Sequence, residues 1–331
     1  MKDKEEFSWI EIACPCCGSI GNYEVLFHDK NRRELIPIET NCVKCKNCTM
    51  VYLTPIPEPD SFNKYYKEIY LKFMREGEEV EKETSKSIIY KALEWFLGFQ
   101  LRIFLLIKGS WIKKEFVKKE KLKFLDIGCS NAMKIKWLAD LKYCIHGIDV
   151  NPSGIEEAIK NIPDGDFRIG LLHEGNFEDS FFDIVHMDNV FEHIHDPANL
   201  LSEINRILRK DGKLILIIPS LSTIQRLWGK YYTVQWIPFH VALYTRKTIR
   251  LLLESNNFRI RKIYNQSIAW WAILSYRQWS YRNSNKYIDC KKTSTTLIAE
   301  IFLNPFFFLL EILGNADYLV VIADKKTPEY Q

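Results

Sequence analysis

The chain has 331 residues, 47% of them hydrophobic, and a net charge of +4 at pH 7. That length and apolar content suffice for one large domain with a small one, and so small a charge argues against a nucleic-acid binder. Six of the nine cysteines fall within the first 48 residues, which does not suit a secreted disulfide framework in a chain this long and points to a reducing, cytoplasmic location. No signal-peptide pattern opens the sequence. No uninterrupted apolar run approaches the roughly 18–20 residues of a membrane span. The nearest, 297–313, is broken by Glu300, Asn304, Pro305 and Glu311.

Two C-x-x-C pairs come first, Cys14/Cys17 and Cys45/Cys48. Two such turns can place four thiolates around one zinc, and with no position left for water the site would be structural. Cys16 and Cys42 are spare, so other ligand sets stay open. Short ribbon strands are expected at 22–27 and 51–53, and the Pro55–Pro59 stretch reads as a stiff linker. Tyr65, Tyr66 and Tyr70 follow, either as the packed face of a helix or as a lid over an active site. Residues 88–103 repeat apolar side chains at helical spacing and predict a long amphipathic helix with a basic end (Lys113 to Lys121). A helix packed on the domain explains it, and a peripheral membrane-surface helix is the other reading.

The stretch 124–132, with Asp126, Gly128, Ser130 and Ala132, runs from an apolar strand through a glycine turn into a helical pattern starting near Ala132. It reads as the first strand–turn–helix of a doubly wound α/β domain. Further strands are expected at 144–149, 167–170, 183–188, 213–218, 258–264 and 317–323. Asn151-Pro152, Asp196-Pro197 and Thr245 are expected helix caps, and Asp211-Gly212 a turn. About 50 residues between the last two strands carry Trp270, Trp271, Trp279 and Phe306–Phe308. That is too long for a plain connection, so an added helical layer, an oligomer contact or a membrane contact is expected. Asp149 ends the second strand about 20 residues after Gly128, where an acid can accept both hydroxyls of a ribose. The G-x-G-x-x-G of a nicotinamide site is absent.

The 126–132 turn resembles the D-x-G-x-G-x-G turn of class I S-adenosylmethionine-dependent methyltransferases, with Ser130 and Ala132 at two glycine positions. The block 182–197, with Asp183, Asp188, Glu192, His193, Asp196 and Pro197, resembles their FDVV…LEHxxDP segment. The 200–212 stretch and the 238–245 segment around His240 are similar to the blocks that follow it. The resemblance covers 122–325, and the cysteine ribbon is similar to the zinc-binding domain found ahead of sugar-modifying methyltransferases. It implies a seven-stranded Rossmann-like sheet with the last strand antiparallel, a zinc ribbon over 1–55, a helical linker or lid over 56–118 and a methyltransferase domain over 119–327, with an insertion at about 265–316.

Carried across, the resemblance implies that Asp126, Gly128 and Ser130 line the methionine part of S-adenosylmethionine. Asp149 would hold the ribose, Val150 pack on adenine, and Asp188 and Asn189 face the methionine end. Leu171 and Leu172 stand where an acid often meets adenine. His193 and His240 are candidate bases; Tyr66 or Tyr70 would orient the substrate, Glu192 buttress His193, and His195 belong to a capping turn. The implied acceptor is a hydroxyl of a sugar, nucleotide-sugar or glycan precursor. The sequence ends soon after the seventh strand, without the further domain of similar C-methyltransferases, which favours oxygen as the acceptor. RNA methylation through the ribbon, and a non-catalytic scaffold with a lost cofactor site, are the competing readings.

Overall fold

A computed structural model describes residues 8–30, 39–58, 88–108, 121–221, 231, 237, 239–267, 269–280 and 293–326. Tyr66, Tyr70, the rest of the expected lid and most of the lysine run after residue 108 lie outside the described residues.

The N-terminal part forms β1 (Trp9–Ile10), β2 (Tyr23–Lys30), β3 (Glu39–Cys45), β4 (Val51–Thr54) and β5 (Ile56–Pro57). The expected proline linker is therefore partly a strand: Ile56 and Pro57 pair antiparallel with Ile10 and Trp9. Proline is tolerated there because the two-stranded ladder has an open edge. Helix α1 (Ile88–Lys108) follows, and then the α/β domain: β6 (Lys123–Ile127), α2 (Trp137–Asp140), β7 (Cys144–Asp149), α3 (Pro152–Asn161), β8 (Asp166–Ile169), β9 (Phe182–Asp188), α4 (Pro197–Ile207), β10 (Leu208–Pro219), β11 (Ala242–Leu243), α5 (Arg246–Ser255), β12 (Phe258–Gln266), α6 (Ala269–Ser280), α7 (Ser294–Ile312) and β13 (Tyr318–Lys325).

Seven of these strands form one sheet, ordered β12-β13-β10-β9-β6-β7-β8, in which β13 alone runs antiparallel to its neighbours. Alternate residues feed two cores. Phe124, Ile145, Ile184, Ile215 and Val320 pack on one face; Leu125, Ile127, Val185, Met187, Leu214 and Val321 pack on the other. The chain leaves β6 toward β7 and β8 and then returns to place β9 on the opposite side of β6. That reversal makes the carboxyl ends of β6, β7 and β9 the topological switch point, where an open α/β sheet offers a crevice.

The caps form as the sequence predicts: Asn151 accepts from Ser153 N, Asp196 from Asn199 N and Thr245 from Thr248 N. Two expectations need correction. The helix expected from Ala132 is only the four-residue α2, because Ser130 and Ala132 adopt left-handed backbone at φ +46° and +56° and Lys142 ends the segment at +57°. Asp211-Gly212 is not a free turn but part of an irregularity within β10, where the register with β9 shifts between Leu208 and Lys213.

The insertion forms a helical layer, with α7 packed against α1 and α6. Pro305 inside α7 cannot bond the Ile301 carbonyl. Gln100 of α1 takes that carbonyl instead, its Nε2 donating at 2.9 Å. Glu300, Asn304 and Glu311 are buried, while Phe302, Phe306, Leu309 and Ile312 are exposed on α7, as are Trp95 and Phe99, stacked on α1. By length and composition α7 suffices to cross a membrane, which the reading of the sequence as interrupted runs had excluded. The interrupting polar residues lie on its packed side, where Asn304 Oδ1 accepts from Ala269 N and Glu311 Oε2 from Ser267 N.

Candidate active site

The turn after β6 is tied to the end of β7: Gly128 N and Cys129 N both donate to the Ile148 carbonyl, at 2.8 and 3.3 Å. Gly128 sits at φ +74°, and a Cβ there would lie 2.3 Å from Val190 Cγ2. Its missing side chain makes room for the loop after β9. Ser130 and Ala132 hold the left-handed conformation that glycine adopts without cost. The turn thus keeps a glycine-rich backbone path with only one glycine. Replacing Ser130 by glycine relieves a conformational penalty of about 1 kcal/mol, partly offset by a more flexible unfolded chain. Ser130→Gly is expected to raise the midpoint of urea unfolding without loss of cofactor affinity; a lowered midpoint would refute the strain.

Asp149 holds this turn from the next strand. Its Oδ2 accepts from Ser130 N and its Oδ1 from Asn151 N, each at 2.8 Å. Burial raises its pKa, and the two amides pull it back down. Each oxygen keeps a further lone pair for a hydroxyl donor. Asp126 is buried beneath the turn, its Oδ1 2.7 Å from Nδ1 of His186, its register partner on β9. Asp188 ends β9; its Oδ2 accepts from Lys134 Nζ at 2.7 Å and its Oδ1 from Asn189 Nδ2 at 2.6 Å. Asn189 is left-handed at φ +57°, fixed by its N–H on the Ile217 carbonyl. Val150 is half-buried after β7, while Leu171 is exposed and Leu172 buried after β8.

The next turn, Phe191–His193, brings a second group together. Glu192 is fully buried, with His240 Nε2 3.7 Å and His193 Nε2 4.0 Å from its Oε1. The two imidazoles stand 4.8 Å apart, edge to face. His193 Nδ1–H donates to the Phe239 carbonyl at 2.8 Å. Burial pushes the Glu192 carboxyl up to about 8 and the His193 imidazole down to about 4. His193 is therefore neutral at pH 7, with Nε2 as its basic atom. His195 lies apart; burial lowers its pKa, and a hydrogen bond with the Pro57 backbone opposes this.

His240 precedes β11, which joins the N-terminal sheet: Ala242 and Leu243 pair with Tyr52 and Val51 of β4. The ribbon is thus built into the site's wall. Its four cysteines cluster as the spacing predicts, with Sγ atoms of Cys14, Cys17, Cys45 and Cys48 all within 4.8 Å of one another. The Cys14–Cys48 and Cys17–Cys45 pairs lie at 3.5 and 3.7 Å, and sulfurs about 2.3 Å from a common zinc stand roughly 3.8 Å apart. Cys16 points elsewhere, to the Thr248 carbonyl at the start of α5, and Cys42 lies in a separate apolar cluster.

A family model described as a methyltransferase domain matches residues 105–263, the segment that contains the loops after β6, β7 and β9 and His240 but not the cysteine ribbon. Residues 105–263 thus carry a methyltransferase domain. A demethylmenaquinone methyltransferase of Thermotoga maritima is 30% identical over 104 residues, covering 30% of this chain and 45% of the relative. A mitochondrial ubiquinone biosynthesis O-methyltransferase of Schizosaccharomyces pombe is 30% identical over 111 residues, covering 32% of this chain and 40% of that one. The chain thus spans less than half the length of these two curated relatives. A solved methyltransferase of Methanosarcina mazei superposes with a TM-score of 0.46 at 18% identity, over 66% of this chain and 98% of that one.

Two residues of the methyltransferase domain escape sequence reasoning. Lys134 has no motif around it, and its ion pair with Asp188 depends on the irregular path after Ala132. His186 carries a weak signal, a polar residue at an inward position of a buried strand. The grouping of Glu192 with both histidines joins residues up to 48 positions apart, and no local pattern announces it.

Proposed function

We propose that this protein transfers a methyl group from S-adenosylmethionine to a hydroxyl oxygen of a small-molecule acceptor. The observation that carries the reading is the switch-point crevice, where the Gly128–Ser130 turn, the Asp149 carboxylate and the Asp188–Asn189 loop meet. The left-handed backbone at Ser130 and Ala132 favours a retained cofactor site over a degenerate scaffold. When bound, S-adenosylmethionine supplies an electrophilic sulfonium methyl. Asp149 would accept the ribose hydroxyls while anchoring the turn, and Val150 and Leu171 would flank adenine. Asp188, Asn189 and Lys134 would face the methionine end.

Most of the catalysis would come from holding the acceptor oxygen in line with the methyl and keeping water out. The acceptor proton has His193 Nε2 and His240 as its nearest basic groups in the wall after β9. The ribbon's resemblance points to a sugar-type hydroxyl, and the names of the two relatives point to quinone-type acceptors. A panel of nucleotide sugars and dihydroxybenzoates separates these. The four-cysteine cluster would hold a structural zinc ion, its donors all thiolates with no position for substrate.

Calorimetric titration with S-adenosylhomocysteine tests the reading. Wild type is expected to bind in the micromolar range. Loss of the ribose hydrogen bonds to a charged group in Asp149→Ala is expected to weaken binding by about 10- to 100-fold. Folded wild type that does not bind would overturn the proposal.

A further inference from the structure

The cluster behind the β9 loop holds a buried carboxyl, Glu192, with no neighbouring side chain at hydrogen-bond distance among the described residues. Glu192 has no exposed surface, and among the described residues neither carboxylate oxygen has a hydrogen-bond partner. Native proteins rarely leave a buried acid in that state. Two imidazole nitrogens stand over the same oxygen at 3.7 and 4.0 Å. These distances are too long for hydrogen bonds. Two donors about 2.1 Å from a common ion are separated by roughly 3–4 Å, depending on the angle between them.

The tautomer sharpens the point. His193 gives its Nδ1 proton to the Phe239 carbonyl, so in the neutral ring Nε2 presents a lone pair toward Glu192. A carbonyl fixing one nitrogen so that the other can ligate is the usual outer-shell arrangement of a metal-bound histidine. A lone pair facing a carboxyl oxygen is repulsive unless a proton or a metal ion lies between them, and gaps of 3.7 and 4.0 Å are too long for a shared proton.

We propose that Glu192, His193 and His240 form a binding site for one divalent transition-metal ion. Their donor atoms already lie within 4.8 Å of one another, and a small inward rotation of the imidazoles would close them on the ion. Two nitrogens and one carboxylate oxygen leave coordination positions open, as in other two-histidine, one-carboxylate sites. The cluster begins three residues after Asn189, in the loop proposed to face the methionine end of the cofactor. An ion there would lower the pKa of a ligating acceptor hydroxyl. That role rests on the methyl-transfer reading; binding of the ion does not.

The site is separate in chemistry from the cysteine cluster, which makes it testable in the full chain with zinc retained. Manganese(II) favours oxygen and nitrogen donors over four thiolates. Titration of the zinc-loaded protein with MnCl2, followed by loss of the free-ion electron paramagnetic resonance signal, is expected to show one bound equivalent. Glu192→Gln and His240→Gln should each abolish it. Should a variant fail to fold, cobalt(II) bound to the wild type gives a second reading. Its spectrum should lack a sulfur-to-cobalt charge-transfer band. Absence of manganese binding by the wild type, binding unchanged in both variants, or cobalt bound only through sulfur would each overturn the proposal. S-adenosylhomocysteine titration of the same sample keeps the two proposals apart. Cofactor binding without manganese sinks the metal site alone, and manganese without cofactor binding sinks the methyl-transfer reading alone.

Discussion

Gly128→Ala is expected to destabilise the protein by about 2–5 kcal/mol, the sum of a left-handed backbone penalty and overpacking, and to abolish S-adenosylhomocysteine binding. The new methyl would sit 2.3 Å from Val190 Cγ2. Val190 cannot retreat without moving its neighbours, Asn189 before it and the Phe191–His193 turn after it. The damage therefore reaches both the cofactor loop and the Glu192 cluster. Val190→Ala in the same chain should recover the packing part of the loss and leave the backbone part, so the double variant should regain roughly 1–3 kcal/mol. Urea unfolding of the two variants checks this. A double variant no more stable than the single one would show that the clash with Val190 is not the cause.

Removal of one ligand from the ribbon's four-cysteine cluster, on the proposal that the cluster holds zinc, is the second large effect. Cys45→Ser should reduce bound zinc from one equivalent to none and lower methyl transfer at least 10-fold, on the scale seen when a metal's supporting shell is lost. Structural zinc contributes folding energy directly, and here the ribbon's order is shared. β4 pairs with β11, and Leu53 N donates to the Val241 carbonyl at 2.9 Å. Cys14, Cys45, Met50 and Tyr52 belong to the same core as Phe191, Tyr244 and Leu252. A loosened ribbon therefore releases the strand that positions His240. The cofactor turn is held instead by β7, through Ile148 and Asp149. Cofactor affinity should accordingly change only a few-fold while turnover falls. Metal analysis with paired binding and activity measurements decides it. Full turnover in zinc-free protein would refute the coupling.

Much of this architecture is local chemistry, and local chemistry is written in order along the chain. The inner strands β6, β9 and β13 are short apolar runs largely buried on both faces, so their residue types mark them. Asn151, Asp196 and Thr245 cap helices because a short side-chain acceptor before a helical run satisfies orphan amides wherever it occurs. Paired cysteines on tight turns announce one four-thiol cluster by spacing alone. The acid at Asp149 was legible for the same reason, since its distance from Gly128 is one strand–turn–helix–strand unit.

What tertiary structure decided are the pairings that cross long stretches of chain. Ser130 and Ala132 look like losses of glycine, yet the Asp149 carboxylate and the β7 backbone hold them in the glycine conformation. Ile56 and Pro57 look like linker until Trp9 and Ile10 supply a partner. Glu300, Asn304 and Glu311 interrupt an apolar run in one dimension, but at helical spacing they gather on one packed side. The joining of Glu192, His193 and His240 depends on β11 crossing to the ribbon sheet. Residue types encode propensity and periodicity over a few turns. Which buried acid meets which imidazole is set by how the sheets share a core.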